Sequence, residues 1–189
     1  MLPFLLYLNN SYTAKSLNSR YNTVILRHNG KMKASQFKKV MKSMSESAKK
    51  NLTRDGSLAM VCLAFDKQGK MTPFLMKFET EEEKINSFKT LKSFLQSHKI
   101  TEFLIIGEVW CYEDKRKNAG KYRDEKFILP SQHSNRIEAI QVQGFKGNYV
   151  YEVLTPFVRT VAGFEFKKTD MHQFEKKDCR GQLAEILLS

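Results

Sequence analysis

Apolar residues recur at helical spacing from Met32 onward, where Phe37, Val40, Met41, Met44 and Ala48 share one face and Lys and Ser the other. The pattern predicts an amphipathic helix of about 15 residues, with a stop at Asp55-Gly56. Leu58 to Phe65 is nearly all apolar, as a strand covered on both faces would be. Asp66-Lys67-Gln68-Gly69 reads as a turn and Met71 to Phe78 as the hairpin partner, with Pro73 marking an edge or a bulge. Thr80-Glu81-Glu82-Glu83 is a capping-box signature with acidic residues in the first turn. The stripe Ile85, Phe88, Leu91, Phe94 and Leu95 follows, in a helix ending near His98-Lys99.

Ile100 to Tyr112 reads as the central strand, and Glu113 to Lys126 as a charged excursion. Ile137 to Gln143, a Gly144-Phe145-Lys146-Gly147 turn and Asn148 to Thr155 make a second hairpin. A short strand around Gly163 to Lys167 and a helix from about His172 to Leu188 complete the chain. This order predicts a single α+β domain over residues 32–189. Its sheet is largely antiparallel or mixed, built of two hairpins plus a central strand and packed with about three helices.

Residues 1–31 stand apart. Met1 to Leu8 is apolar but has no basic flank, falls far short of the roughly 20 residues that span a bilayer, and precedes no cleavage pattern. Neither a signal peptide nor a membrane anchor is expected. The stretch is read either as an extension before a true start at Met32, or as a disordered or edge-strand arm in which Thr23-Val24-Ile25-Leu26 is the strand-like piece.

The chain has 189 residues, 41% of them hydrophobic, enough for one sizeable core and too apolar for a disordered protein. A net charge of +12 favours polyanionic partners, DNA or RNA first, with a protein partner as the alternative. Cys62, Cys111 and Cys179 form no CxxC pair, so they are expected as core thiols in a reducing cytoplasm. His28, His98, His133 and His172 lack the spacing of a zinc site, and no Rossmann fingerprint or P-loop is present. No resident metal or cofactor is expected.

Three constellations could carry function. Glu108 sits inside the apolar run Phe103 to Tyr112, where a carboxylate needs a cation or a donor. Arg136 is the nearest candidate for an ion pair, and Glu138 faces the same way as residue 136 on an extended strand. If Glu108 and Glu138 met, with Asp66 or Asp114 as a third ligand, they could hold Mg2+ or Mn2+ for phosphodiester cleavage; a structural Glu108–Arg136 pair is the preferred reading. The second constellation is Lys115, Arg116, Lys117, Lys121, Tyr122, Arg123 and Lys126, a loop able to clamp phosphates while Tyr122 stacks on a base. Glu113, Asp114, Asp124 and Glu125 offset much of its charge. The third places Lys167, Lys168, Lys176, Lys177 and Arg180 near Phe164, Phe166 and Phe174, which is better read as a docked helix.

Gly107-Glu108-Val109-Trp110, then Pro130-Ser131, then Arg136-Ile137-Glu138 resembles a group of small uncharacterised proteins of bacteria and their phages. Those carry a strand ending Ser-Glu-Ala-Trp and a later Pro-Ser…Arg-x-Glu segment. The resemblance spans roughly residues 55 to 158, differs at Gly107 and Val109, and implies a fold and a prokaryotic or mobile-element origin, with no activity attached. The expected function is non-enzymatic binding, nucleic acid being the first partner. A metal-dependent nuclease or a protein-interaction factor is the alternative.

Overall fold

Strand parity organises the molecule, which we describe from a computed structural model covering residues 32–111, 134, 136–179 and 187. Every side chain of β1 (Met60–Phe65) is buried: Met60, Cys62 and Ala64 enter one apolar layer, and Val61, Leu63 and Phe65 enter the other. A strand needs cover on both faces for that pattern, and two helices supply it. Helix α1 (Ala34–Asp55) lays Phe37, Met41, Met44, Ala48 and Leu52 on the face holding Leu104, Ile106, Ile140 and Val142. Helix α2 (Glu81–Ser97) lays Phe88, Leu91 and Leu95 on the opposite face, against Met60, Met76, Phe103 and Ile105.

Among the described residues the sheet has seven strands: β1, β2 (Met71–Met76), β3 (Glu102–Cys111), β4 (Ile137–Lys146), β5 (Tyr149–Thr160), β6 (Gly163–Phe166) and β7 (Asp170–Glu175). Its order is β2-β1-β3-β4-β5-β6, with β7 also pairing β5, and every pairing is antiparallel. Pro73 lies on the edge strand β2, as its missing N–H requires. Thr80 Oγ1 accepts from Glu83 N at 3.1 Å, while Glu83 Oε2 accepts from Thr80 N at 3.1 Å and Glu79 N at 2.7 Å. The capping box therefore forms as read, and those backbone donors hold the Glu83 carboxyl below its ordinary pKa. No described helix is long and apolar enough to cross a membrane.

Three expectations need correction. Helix α1 is 22 residues long rather than about 15, because it begins at Ala34 and runs to the stop at Asp55-Gly56. The second hairpin turns at Gly147-Asn148, with Gly147 at φ 57°, and Gly144 belongs to the interior of β4. Gly144 is there because α1 crosses β4 closely: a Cβ at that position would stand 2.6 Å from Met41 Sδ, 2.7 Å from Phe37 Cε1 and 3.0 Å from Leu104 Cδ2. Gly144→Ala should therefore cost about 1–2 kcal/mol through overpacking, read as a lower urea midpoint; an unshifted midpoint would show that α1 can lift freely.

The third correction concerns the helix expected from about His172, the third of the helices expected. Asp170–Glu175 is instead strand β7, followed by a 3-10 turn at Lys176–Asp178. Leu187 is helical, and residues 180–186 and 188–189 of the expected helix lie outside the described residues, so α1 and α2 are the two α-helices described in full. Pairing with β5 overrides local preference here, because β5 runs past the end of β6 and its backbone groups need partners. Phe164 and Phe166 share a face with Met171, which requires a change of parity between them; the chain makes it at residues 167–169, where Lys167 N donates to Pro156 O at 2.8 Å.

Candidate functional site

The sheet face under α1 continues past the end of that helix. Even-numbered residues of β3 and β4 and odd-numbered residues of β5 point to this side, so Glu108, Trp110, Glu138, Phe157 and Arg159 come together there. Trp110 is paired with Glu138 and Glu108 with Ile140, which puts the two carboxylates diagonally across the β3–β4 ladder.

The cation that meets Glu108 is Arg159, not Arg136. Arg159 Nη2 donates to Glu108 Oε2 at 2.6 Å, and its Nε donates to Glu138 at 3.0 Å and 3.2 Å. Its Nη1 donates to the Gly56 carbonyl at 2.8 Å, while the other Glu108 oxygen accepts from the Leu58 N–H. One guanidinium and one carboxylate thus clasp both sides of the α1–β1 connection, whose C-cap is Gly56. The guanidinium lies 5.1 Å from the Phe164 ring centre and 5.5 Å from that of Phe157. Arg136 stands over the Trp110 ring at 4.3 Å.

Burial pushes the Glu108 carboxyl above its ordinary pKa. The Leu58 N–H and Arg159 oppose that rise, and the negative charge of Glu138 adds to it. Burial likewise raises the Cys62 thiol, and burial with Glu152 nearby pushes Cys111 up to about 11, so neither is a thiolate at neutral pH.

Asp66 is far from this cluster. Its Oδ1 accepts from Gln68 N at 2.9 Å and Lys70 N at 2.8 Å, closing the β1–β2 turn. Phe65 pairs with Glu102, six positions along β3 from Glu108, a separation of about 20 Å. Among the described residues, no three His, Cys, Asp or Glu side chains group as a metal ion would need. Asp114 and the basic loop residues Lys115, Arg116, Lys117, Lys121, Tyr122, Arg123 and Lys126 lie outside the described residues, as do residues 1–31.

Arg159 is the residue that sequence reasoning missed. Ending the last long strand at Thr155 left it in a loop, whereas Thr155, Phe157 and Arg159 alternate onto one face of a strand that runs to Thr160. That alternation was the available signal. No family model, curated protein or solved structure gives a significant match to the chain.

Proposed function

We propose that the protein acts by binding rather than catalysis, with nucleic acid held through its phosphates as the partner. The observation that supports this reading is the way charge is distributed. Lys and Arg number 32 against 20 Asp and Glu, and much of the described acid is already answered by a neighbouring cation. Glu46 is paired with Lys49, Glu81 with Lys84, Glu102 with Lys146, Glu165 with Lys167, and Glu108 and Glu138 with Arg159. The excess of cations is then left facing solvent, where it attracts polyanions. Cys62, Cys111 and Cys179 are thiols outside any disulfide, which suits a reducing compartment and supports a cytoplasmic setting.

Fluorescence anisotropy with labelled DNA and RNA, single- and double-stranded, at low and moderate salt and with or without Mg2+ or Mn2+, tests the reading. Binding that weakens steeply with salt and leaves the strands intact on a gel is the expected result. Metal-dependent cleavage would transfer the function to Glu108 and Glu138, and absence of binding at low salt would end the nucleic-acid reading.

A further inference from the structure

We infer that the solvent crest of α1 is the surface that meets the partner, and that the partner is the phosphate backbone of duplex DNA, contacted without reading its sequence. The inference rests on the nucleic-acid reading above and adds the place and the kind of contact. Ser35, Lys39, Lys42, Glu46, Lys50 and Thr53 are separated by three or four residues and are all exposed, so they form one row along the helix. The apolar row of the same helix is fully committed to the sheet. Within the crest Glu46 is neutralised by Lys49 at 2.7 Å. Lys39, Lys42 and Lys50 have no acidic partner among the described residues, and Lys39 to Lys50 spans about 16 Å of a rigid helix.

The neighbours of the row define what it can recognise. Tyr151 lies under Lys38 Nζ at 5.1 Å and Phe166 under Lys49 Nζ at 5.9 Å, so both rings are roofed by cations and offer no stacking platform. Single-strand binding draws much of its affinity from such platforms, and a duplex presents roughly twice the charge per length. The hydroxyls of Ser47 and Thr53 donate to carbonyls of their own helix, at 3.1 Å and 2.9 Å. Base edges and ribose 2′-hydroxyls are read by such polar groups when they are free; with these two engaged, the three ammonium groups outnumber the Ser35 hydroxyl as donors along the row, and phosphate is the target they suit. Beside the row, the Lys168 side chain is 90% exposed but lies 3.9 Å from Asp170, so the uncompensated charge is that of the crest itself. The crest carries no apolar residue that could enter a lipid surface.

Three proteins decide the matter: the full chain, the triple variant Lys39→Gln/Lys42→Gln/Lys50→Gln, and the control Lys67→Gln/Lys77→Gln/Lys89→Gln. The control removes the same charge from exposed positions on β1–β2, its flank and α2. Each is titrated with two labelled DNA duplexes of unrelated sequence, the matching RNA duplex, the single strands and phosphatidylglycerol vesicles, after circular dichroism has shown a native fold. The expected result is that the crest variant loses at least about tenfold in duplex DNA affinity and its salt slope falls by about 2–3, with both duplexes affected alike. The control should lose much less. Equal losses in crest and control variants would overturn the inference while leaving nucleic-acid binding in place. Tighter binding of single strands, of RNA duplex or of vesicles, or a strong preference between the two DNA sequences, would also overturn it. No binding of any nucleic acid by the unaltered chain would instead defeat the reading on which it rests.

Discussion

Phe37→Ala is expected to lower the unfolding free energy by about 3–5 kcal/mol, at the upper end of what large-to-small core substitutions cost. The Phe37 ring is fully buried, tilts against Tyr151 at 5.8 Å between centres, and carries Lys146 Nζ over its face at 5.6 Å. How much such a deletion costs depends on whether neighbours can collapse into the space. Here the floor beneath the ring is Gly144, which has no side chain to offer, and Met41 and Leu104 are already packed against the same point. The cavity should persist. Urea unfolding with an unchanged slope and a lowered midpoint is the readout, and a loss below about 1 kcal/mol would mean that α1 re-seats on the sheet. In a double-mutant cycle Gly144→Ala should cost less once Phe37 is alanine, because the contact with Phe37 Cε1 is gone and the Met41 thioether, still 2.6 Å away, can swing into the vacated space.

The two residues also show what is legible in a sequence and what is not. Phe37 belongs to a row of apolar positions at helical spacing, so its burial follows from periodicity alone. Gly144 carries no periodic signal, and a glycine three residues before Gly147 reads naturally as part of a turn. Its role is set by how near a helix passes, which is a distance between elements remote in sequence. The same limit explains the clasp. Glu108 is conspicuous because a carboxylate in an apolar run demands a partner, and a partner exists. On paper Arg136 is the nearer candidate, while Arg159 lies beyond the expected end of the last long strand. The choice depends on the β4–β5 register, which a hairpin misplaced at Gly144 conceals. His172 to Asp178 shows a third limit, since a segment without a strong apolar stripe takes the structure that its neighbour's unpaired backbone imposes.

Arg159→Leu should destabilise the protein by about 2–3 kcal/mol, less than the 3–5 kcal/mol typical of a broken buried pair because the Arg159 side chain is 42% exposed. Three acceptors lose their donor at once: Glu108, Glu138 and the Gly56 carbonyl at the end of α1. Glu108 suffers most, since its side chain is 15% exposed against 22% for Glu138, although it retains the Leu58 N–H. The pH dependence follows from the sign of its shift. A carboxyl whose folded-state pKa is raised binds its proton more tightly folded than unfolded, so its contribution to stability is present below the unfolded value and lost as pH rises through the folded one. Removing the guanidinium pushes Glu108 further up, because Arg159 is among the groups that oppose the rise. The deficit of Arg159→Leu should therefore be greatest at neutral pH and shrink as the solution is acidified through the titration of Glu108. Adding Glu108→Gln to the same chain removes the stranded charge, and should recover most of the loss at neutral pH while abolishing that part of the pH dependence. Chemical denaturation of the two variants across acidic to neutral pH provides the measurement. If the double variant is no more stable than Arg159→Leu at neutral pH, the guanidinium matters for the Gly56 carbonyl and its aromatic contacts rather than for the carboxylate, and the clasp must be re-drawn around α1's last turn.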